Sequence, residues 1–172
     1  MEAPEHSPGS SVAIPDGTYV VDTERSELRF RAKAFAALWV RGRMPALDGT
    51  IQVRAGRLSA SGAIAAQRVD TGLPTRDWHL RSSHYLHSAR HPRIAITVDG
   101  SATDAPESTA EIEVRGVAAP LRLRIADLGW QDGRLRLEAE GDLDRSSLPM
   151  LPPIAGVSRI VHCRLMVEAQ LS

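Results

Sequence analysis

The chain has 172 residues, enough for one domain that buries most of the surface its unfolded form would expose, so folding requires no bridge or cofactor. Its 21 basic and 21 acidic side chains cancel, which argues against nucleic acid or an anionic membrane surface as a partner and favours neutral ones. Cys163 is the single cysteine, and this excludes an intramolecular disulfide and a Cys-rich zinc site.

Residues 1–17 read as a flexible tail ahead of a domain over 18–172. The tail, MEAPEHSPGSSVAIPDG, has neither the basic start nor the apolar run of a signal peptide. No later segment reaches the roughly 18 apolar residues of a spanning helix. The expectation is therefore a cytoplasmic protein that does not span a membrane.

From Thr18 the dominant period is two. In SELRFRAKA, Leu28, Phe30, Ala32 and Ala34 alternate with Glu27, Arg29, Arg31 and Lys33, which predicts a strand with one apolar and one solvated face. Trp39–Val53 and Arg57–Ala66 read as two more strands joined through an Ala55-Gly56 turn. AEIEVRG, PLRLRIA and GRLRLEAEG alternate in the same way, and in the last strand Val161, Cys163, Leu165, Val167, Ala169 and Leu171 share a face. Asp99-Gly100 and Asp132-Gly133 are turn signals. Short strands without room for crossover helices imply an antiparallel sheet, and about eight of them with one apolar face favour closure into a barrel. Such a barrel is either filled by side chains or hollow enough for one small ligand.

The interval Thr71–Pro92 breaks the alternation. Thr75 is placed to cap a short helix over RDWHLRS, and Pro92 disfavours helix at His91. A short helical excursion around residues 75–90 is thus expected, available to cover one end of the barrel. It carries His79, His84, His87 and His91. On a continuous helix the last three would fall at i, i+3 and i+7, a spacing that could serve a metal or haem. Against that stand Pro92, the cations Arg76, Arg81, Arg90 and Arg93, and a single nearby carboxylate, Asp77. No metal and no other cofactor is expected.

An enzyme is not expected either. There is no GxSxG, P-loop or dinucleotide fingerprint. Arg76-Asp77 suits a structural turn, and Cys163 falls on an apolar strand face.

Five segments, in order, resemble the YceI-like polyisoprenoid-binding family over Tyr19–Leu171: YVVDTERSELRF, WVRGRMPALDGTI, VDTGLPTRDWHLRSSHYLHSARHPRIAI, VRGVAAPLRLRI and DRSSLPMLPPIAGVSRIVHCRLMVEAQL. The chain departs from the family pattern around AFAAL, at Met44, and at Ser147-Leu148-Pro149. The resemblance implies an all-β, lipocalin-like antiparallel barrel that binds, stores or transports a polyisoprenoid lipid, such as an isoprenoid quinone tail or a polyprenyl chain. A homodimer is compatible with it. The ligand-binding residues expected on this reading are Leu28, Phe30, Leu123, Ile125, Leu135, Leu137, Cys163 and Leu165 in the lumen, with Trp78, Tyr85 and Leu86 near the entrance. A metal or haem protein using the histidines and a ligand-free structural or interaction module are the alternatives.

Overall fold

The computed structural model describes residues 13–35, 37–150 and 157–172. Among the described residues, ten strands follow one another as β1 Gly17–Val21, β2 Glu27–Ala34, β3 Leu38–Pro45, β4 Asp48–Arg54, β5 Arg57–Ala65, β6 Arg93–Ala102, β7 Glu107–Val114, β8 Val117–Gln131, β9 Arg134–Asp144 and β10 Ile160–Leu171, with one α-helix, α1 Pro74–Arg81. All pairings are antiparallel. The order β1-β4-β5-β6-β7-β8-β9-β10 closes on itself through Tyr19↔Leu171, which makes an eight-stranded barrel.

Strands β2 and β3 extend this ring. β1 and β2 both run antiparallel to β10, so they are one strand interrupted at 22–26. At the interruption the buried Ser26 hydroxyl replaces ladder bonds, donating to Glu168 O at 3.2 Å and accepting from Glu168 N at 3.0 Å. The expected strand over Trp39–Val53 is likewise broken, with Ala46 at φ 59° between β3 and β4. The break lets β4 stay on β5 while β3 follows β2 away from it, so β3 presents an edge that β5 does not pair. That edge is bridged by Arg43↔Asp70, whose reciprocal backbone bonds are 2.8 and 2.9 Å.

Ala55-Gly56 and Asp132-Gly133 form the hairpin turns read from the sequence, with both φ values positive in each, as a two-residue type I′ turn demands. Asp99-Gly100 does not turn the chain. β6 continues to Ala102, and Gly100, at φ 61°, lies in a bulge opposite Ser59, where the register shifts between Leu58 and Ala60. A bulge and a hairpin turn both call for a residue with positive φ, so the dipeptide alone does not distinguish them.

The apolar faces meet in one core. Tyr19, Ile64, Leu121 and Leu135 are completely buried, and Leu28, Leu123, Cys163, Leu165, Val167 and Ala169 are buried with them. Residues 1–12 of the expected tail lie outside the described residues. Beyond them Ile14 packs against the core, and the Tyr19 hydroxyl donates to Pro15 O at 2.7 Å. No helix is long and apolar enough to cross a membrane among the described residues.

Candidate functional site: an apolar chamber beneath the helix

The barrel has two unlike ends. At one end the strands join through the tight turns at 55–56 and 132–133 and the loop at 103–106. At the other lie the ends of β2 and β3 at Ala34 and Leu38, the Arg115-Gly116 turn, the excursion between β5 and β6, and the 3-10 turn Arg145–Ser147 that follows β9. The excursion leaves and returns at adjacent points, because Ala65 pairs with Arg93 and Ala66 N donates to Pro92 O at 2.8 Å. Its helix begins at Pro74, which is pre-organised for a first helical position and lacks the N–H that would go unpaired there. Leu73, not Thr75, is the capping residue, and it offers no side-chain bond.

Polar anchors then fix the helix on the barrel. Asp77 is buried and accepts from Thr71 N at 2.8 Å and Thr71 Oγ1 at 2.5 Å. Arg81 reaches back to Gln67 O and Val69 O at 2.8 and 3.0 Å. After the helix the chain folds onto it through Leu86 N to Leu80 O and Ser88 N to Arg81 O. The whole cover is clamped from the β7–β8 turn: Arg115 Nη1 lies 2.9, 3.2 and 2.7 Å from the carbonyls of Ser83, Tyr85 and Pro149.

Under this cover is a chamber of about 290 Å³. Its walls are Leu28, Phe30 and Ala32 of β2, Val40 and Met44 of β3, Ile94 of β6, Ile112 and Val114 of β7, Leu143 of β9, and Val161 and Cys163 of β10, with Leu80 and Leu86 above. Arg76, His79, Tyr85 and Arg145 supply the polar lining, and no acidic side chain contributes among the described residues. Arg145 is buried in a single 3-10 turn over Arg145–Ser147, where Nε donates to Ser158 O at 2.9 Å and Nη2 to Val157 O at 3.2 Å. Burial, with a smaller contribution from the negative charge of Asp142, pushes the Cys163 thiol up to about 12. It is a neutral, apolar part of the wall at physiological pH.

The sequence-predicted residues fall into three places. Leu28, Phe30, Tyr85, Leu86 and Cys163 line the chamber. Leu123, Leu135 and Leu165 are at most 5% exposed and pack in the barrel core outside it, with Ile125 and Leu137 partly buried against that core. Trp78 is 71% exposed and touches a shallow groove with Pro74, Thr75 and His79 instead of the chamber. The reason is helical phase: Arg76, Asp77 and Leu80 take the inward positions, and at 100° per residue Trp78 turns out. Sequence reading missed Val40, Met44, Ile112, Val114, Leu143 and Val161 as chamber lining. Each alternates correctly for an inward position, but alternation marks the inner face of a strand and not the depth at which packing stops.

The four histidines form two pairs. The His79 ring is 6.0 Å from His84 and 5.2 Å from Tyr85, while His87 meets His91 at 5.7 Å. His87 is held below its ordinary pKa, first by desolvation and then by the charges of Arg115, His91 and Arg90. Among the described residues, no group of three His, Cys, Asp or Glu side chains is placed to hold a metal ion.

Comparison with known proteins agrees with this architecture. The chain is 28% identical to Protein YceI of Escherichia coli O157:H7, over 94% of this chain and 90% of that protein. It is 27% identical to Protein YceI of Salmonella newport, over 93% and 88%. Among solved structures, Burkholderia cenocepacia BcnA superposes with a TM-score of 0.76 at 12% identity, covering 87% of this chain and 99% of that one. A polyisoprenoid binding domain from Saccharophagus degradans, implicated in plant cell wall breakdown, gives 0.71 at 16% identity, covering 90% and 98%. The model of the YceI-like domain matches residues 19–168, and the chain belongs to that family.

Proposed function

We propose that this protein binds the hydrocarbon chain of an isoprenoid lipid in the chamber under α1 and carries or sequesters it away from water. The observation that supports this most directly is the chamber itself: about 290 Å³ walled almost wholly by aliphatic side chains from β2, β3, β6, β7, β9 and β10. Its aliphatic walls offer a polar solute few partners, whereas each apolar surface they accept contributes roughly 25 cal/mol per Å² removed from water. The likeness to the Saccharophagus polyisoprenoid binding domain supports the same ligand class. A binding role and no catalysis also fits the chemistry of the wall, whose one thiol stays protonated up to about pH 12.

Filling the chamber tests the proposal. Val161 is half-buried on the chamber wall, so Val161→Phe should occupy the space at little cost in stability. Binding of farnesol, followed by native mass spectrometry, should be seen with the wild type and lost in the variant. Farnesol retained equally by both proteins would place the ligand elsewhere.

A further inference from the structure

We infer that the chamber selects a short-chain anionic amphiphile, with a carboxylate or phosphate at the α1 end and a tail of about ten to fifteen carbons. This rests on the reading of the chamber as the ligand site and narrows it. The first observation is depth. Below the chamber the barrel is solid: Leu121, Leu135 and Ala139 are 0% exposed, Leu123 and Ala169 2%, and none of them lines the space. A dry cavity of roughly 150 Å³ holds a benzene-sized guest, so the 290 Å³ here holds about a dozen carbons. A long polyprenyl chain would leave most of its length in water.

The second observation is the charge of the lining. Among the described residues, every ionisable side chain on the chamber wall other than the protonated Cys163 and the phenol of Tyr85 is basic: Arg76, His79 and Arg145. All three lie at the covered end. Arg76 and His79 are three residues apart on α1, one turn of the helix, and Arg145 follows β9 at the same end of the barrel. Arg76 is half-buried. Thr71 takes up its Nε at 2.8 Å and its Nη2 at 2.9 Å, which orients the guanidinium and leaves Nη1 without a protein acceptor among the described residues. Both direct bonds go to uncharged oxygens; the buried Asp77 carboxylate, one hydrogen bond further on through Thr71 Oγ1, balances part of the charge without taking up Nη1. A carboxylate or phosphate would accept charge-assisted bonds from it, which are roughly twice as strong as those an alcohol or quinone oxygen offers.

The test is a titration of the full chain with farnesyl monophosphate, farnesol, farnesoate and the much longer solanesol, delivered from cyclodextrin. Farnesyl monophosphate should bind at least about tenfold tighter than farnesol, as a charge-assisted bond predicts. Solanesol should gain nothing over farnesol. Arg76→Gln should collapse the ratio between phosphate and alcohol, and Arg76→Lys, which keeps the charge, should retain part of it. The tighter of farnesoate and farnesyl monophosphate, which share a farnesyl-type tail, identifies the head that is met. Equal affinity for farnesol and its phosphate, an unchanged ratio in Arg76→Gln, or solanesol binding tighter than farnesol would overturn the inference and leave isoprenoid binding standing. Failure of all four to bind would overturn both.

Discussion

The ring of Phe30 occupies the space that any side chain at Gly42 would need. The two residues are paired across β2 and β3, and a Cβ placed on Gly42 would lie 2.8 and 2.9 Å from the Cε atoms of the ring, closer than real contacts allow. Because Phe30 also lines the chamber, the glycine helps set the shape of the ligand site.

Gly42→Ala should therefore destabilise the domain by about 1–3 kcal/mol, the usual cost of overpacking, and weaken lipid binding together. Phe30→Leu in the same chain should relieve the clash. In urea denaturation the double variant is expected to be less destabilised than the sum of the single ones, a coupling typical of residues in contact. Strict additivity would mean that the ring moves aside freely.

Arg115 joins parts of the chain that are distant in sequence, since its Nη1 faces carbonyls at Ser83, Tyr85 and Pro149. Those bonds hold the cover and not the barrel, whose strands keep their own ladders. Arg115→Ala should accelerate amide hydrogen exchange in residues 82–88 by about tenfold or more while leaving β8 and β9 unchanged. Ligand dissociation should quicken in parallel. An even rise in exchange across the sheet would instead assign Arg115 to global stability.

The barrel was legible from alternation because each strand has one buried and one solvated face. Leu28, Ala32 and Ala34 of β2 are buried while Arg29, Arg31 and Lys33 are exposed. The interruption of that pattern at 71–92 marked the cover for the same reason. The chamber was not legible. Leu123 and Ile112 occupy equivalent inward positions on neighbouring strands, yet one is packed solid and the other borders open space. What separates them is distance along the barrel axis and the size of the side chains opposite, which depend on pairing register. Nor could the sequence reveal Arg145 as chamber lining, since its burial follows from carbonyls at Val157 and Ser158, delivered by the return of the chain into β10.

Cys163 links the chamber to alkaline stability. Its thiol titrates near 9 when unperturbed and at about 12 in the fold. The unfolded chain thus loses this proton first as pH rises, so the native state binds more protons between those values and stability falls with increasing pH across that window. Below pH 9 the contribution is fully present. Cys163→Ala should remove its share of the decline, giving a shallower loss of stability from pH 9 to 11 in urea titrations. In the wild type, alkylation by iodoacetamide at pH 8 should be slow and slower still with farnesol bound. Rapid labelling of the folded protein would contradict a closed, apolar wall around this thiol.

Ile112 and Leu123 provide a matched pair for locating the floor of the site. Both are nearly inaccessible, at 3% and 2%, so truncating either removes buried methyl groups and should cost about 2–5 kcal/mol. Their surroundings differ. Leu123 packs across Gly141, where a Cβ would come within 3.2 Å of its Cδ2, while Ile112 lines the chamber. Ile112→Ala should therefore merge the vacated volume with the existing space and shift the preferred ligand toward a longer or bulkier chain. Leu123→Ala should lower the melting temperature by a similar amount with the same ligand preference, because its cavity opens behind the wall. The check is a thermal melt of each variant followed by competition between farnesol and geranylgeraniol. An equal shift in preference from Leu123→Ala would show that the ligand already reaches the middle of the barrel, and that the packed layer beneath the chamber yields to it.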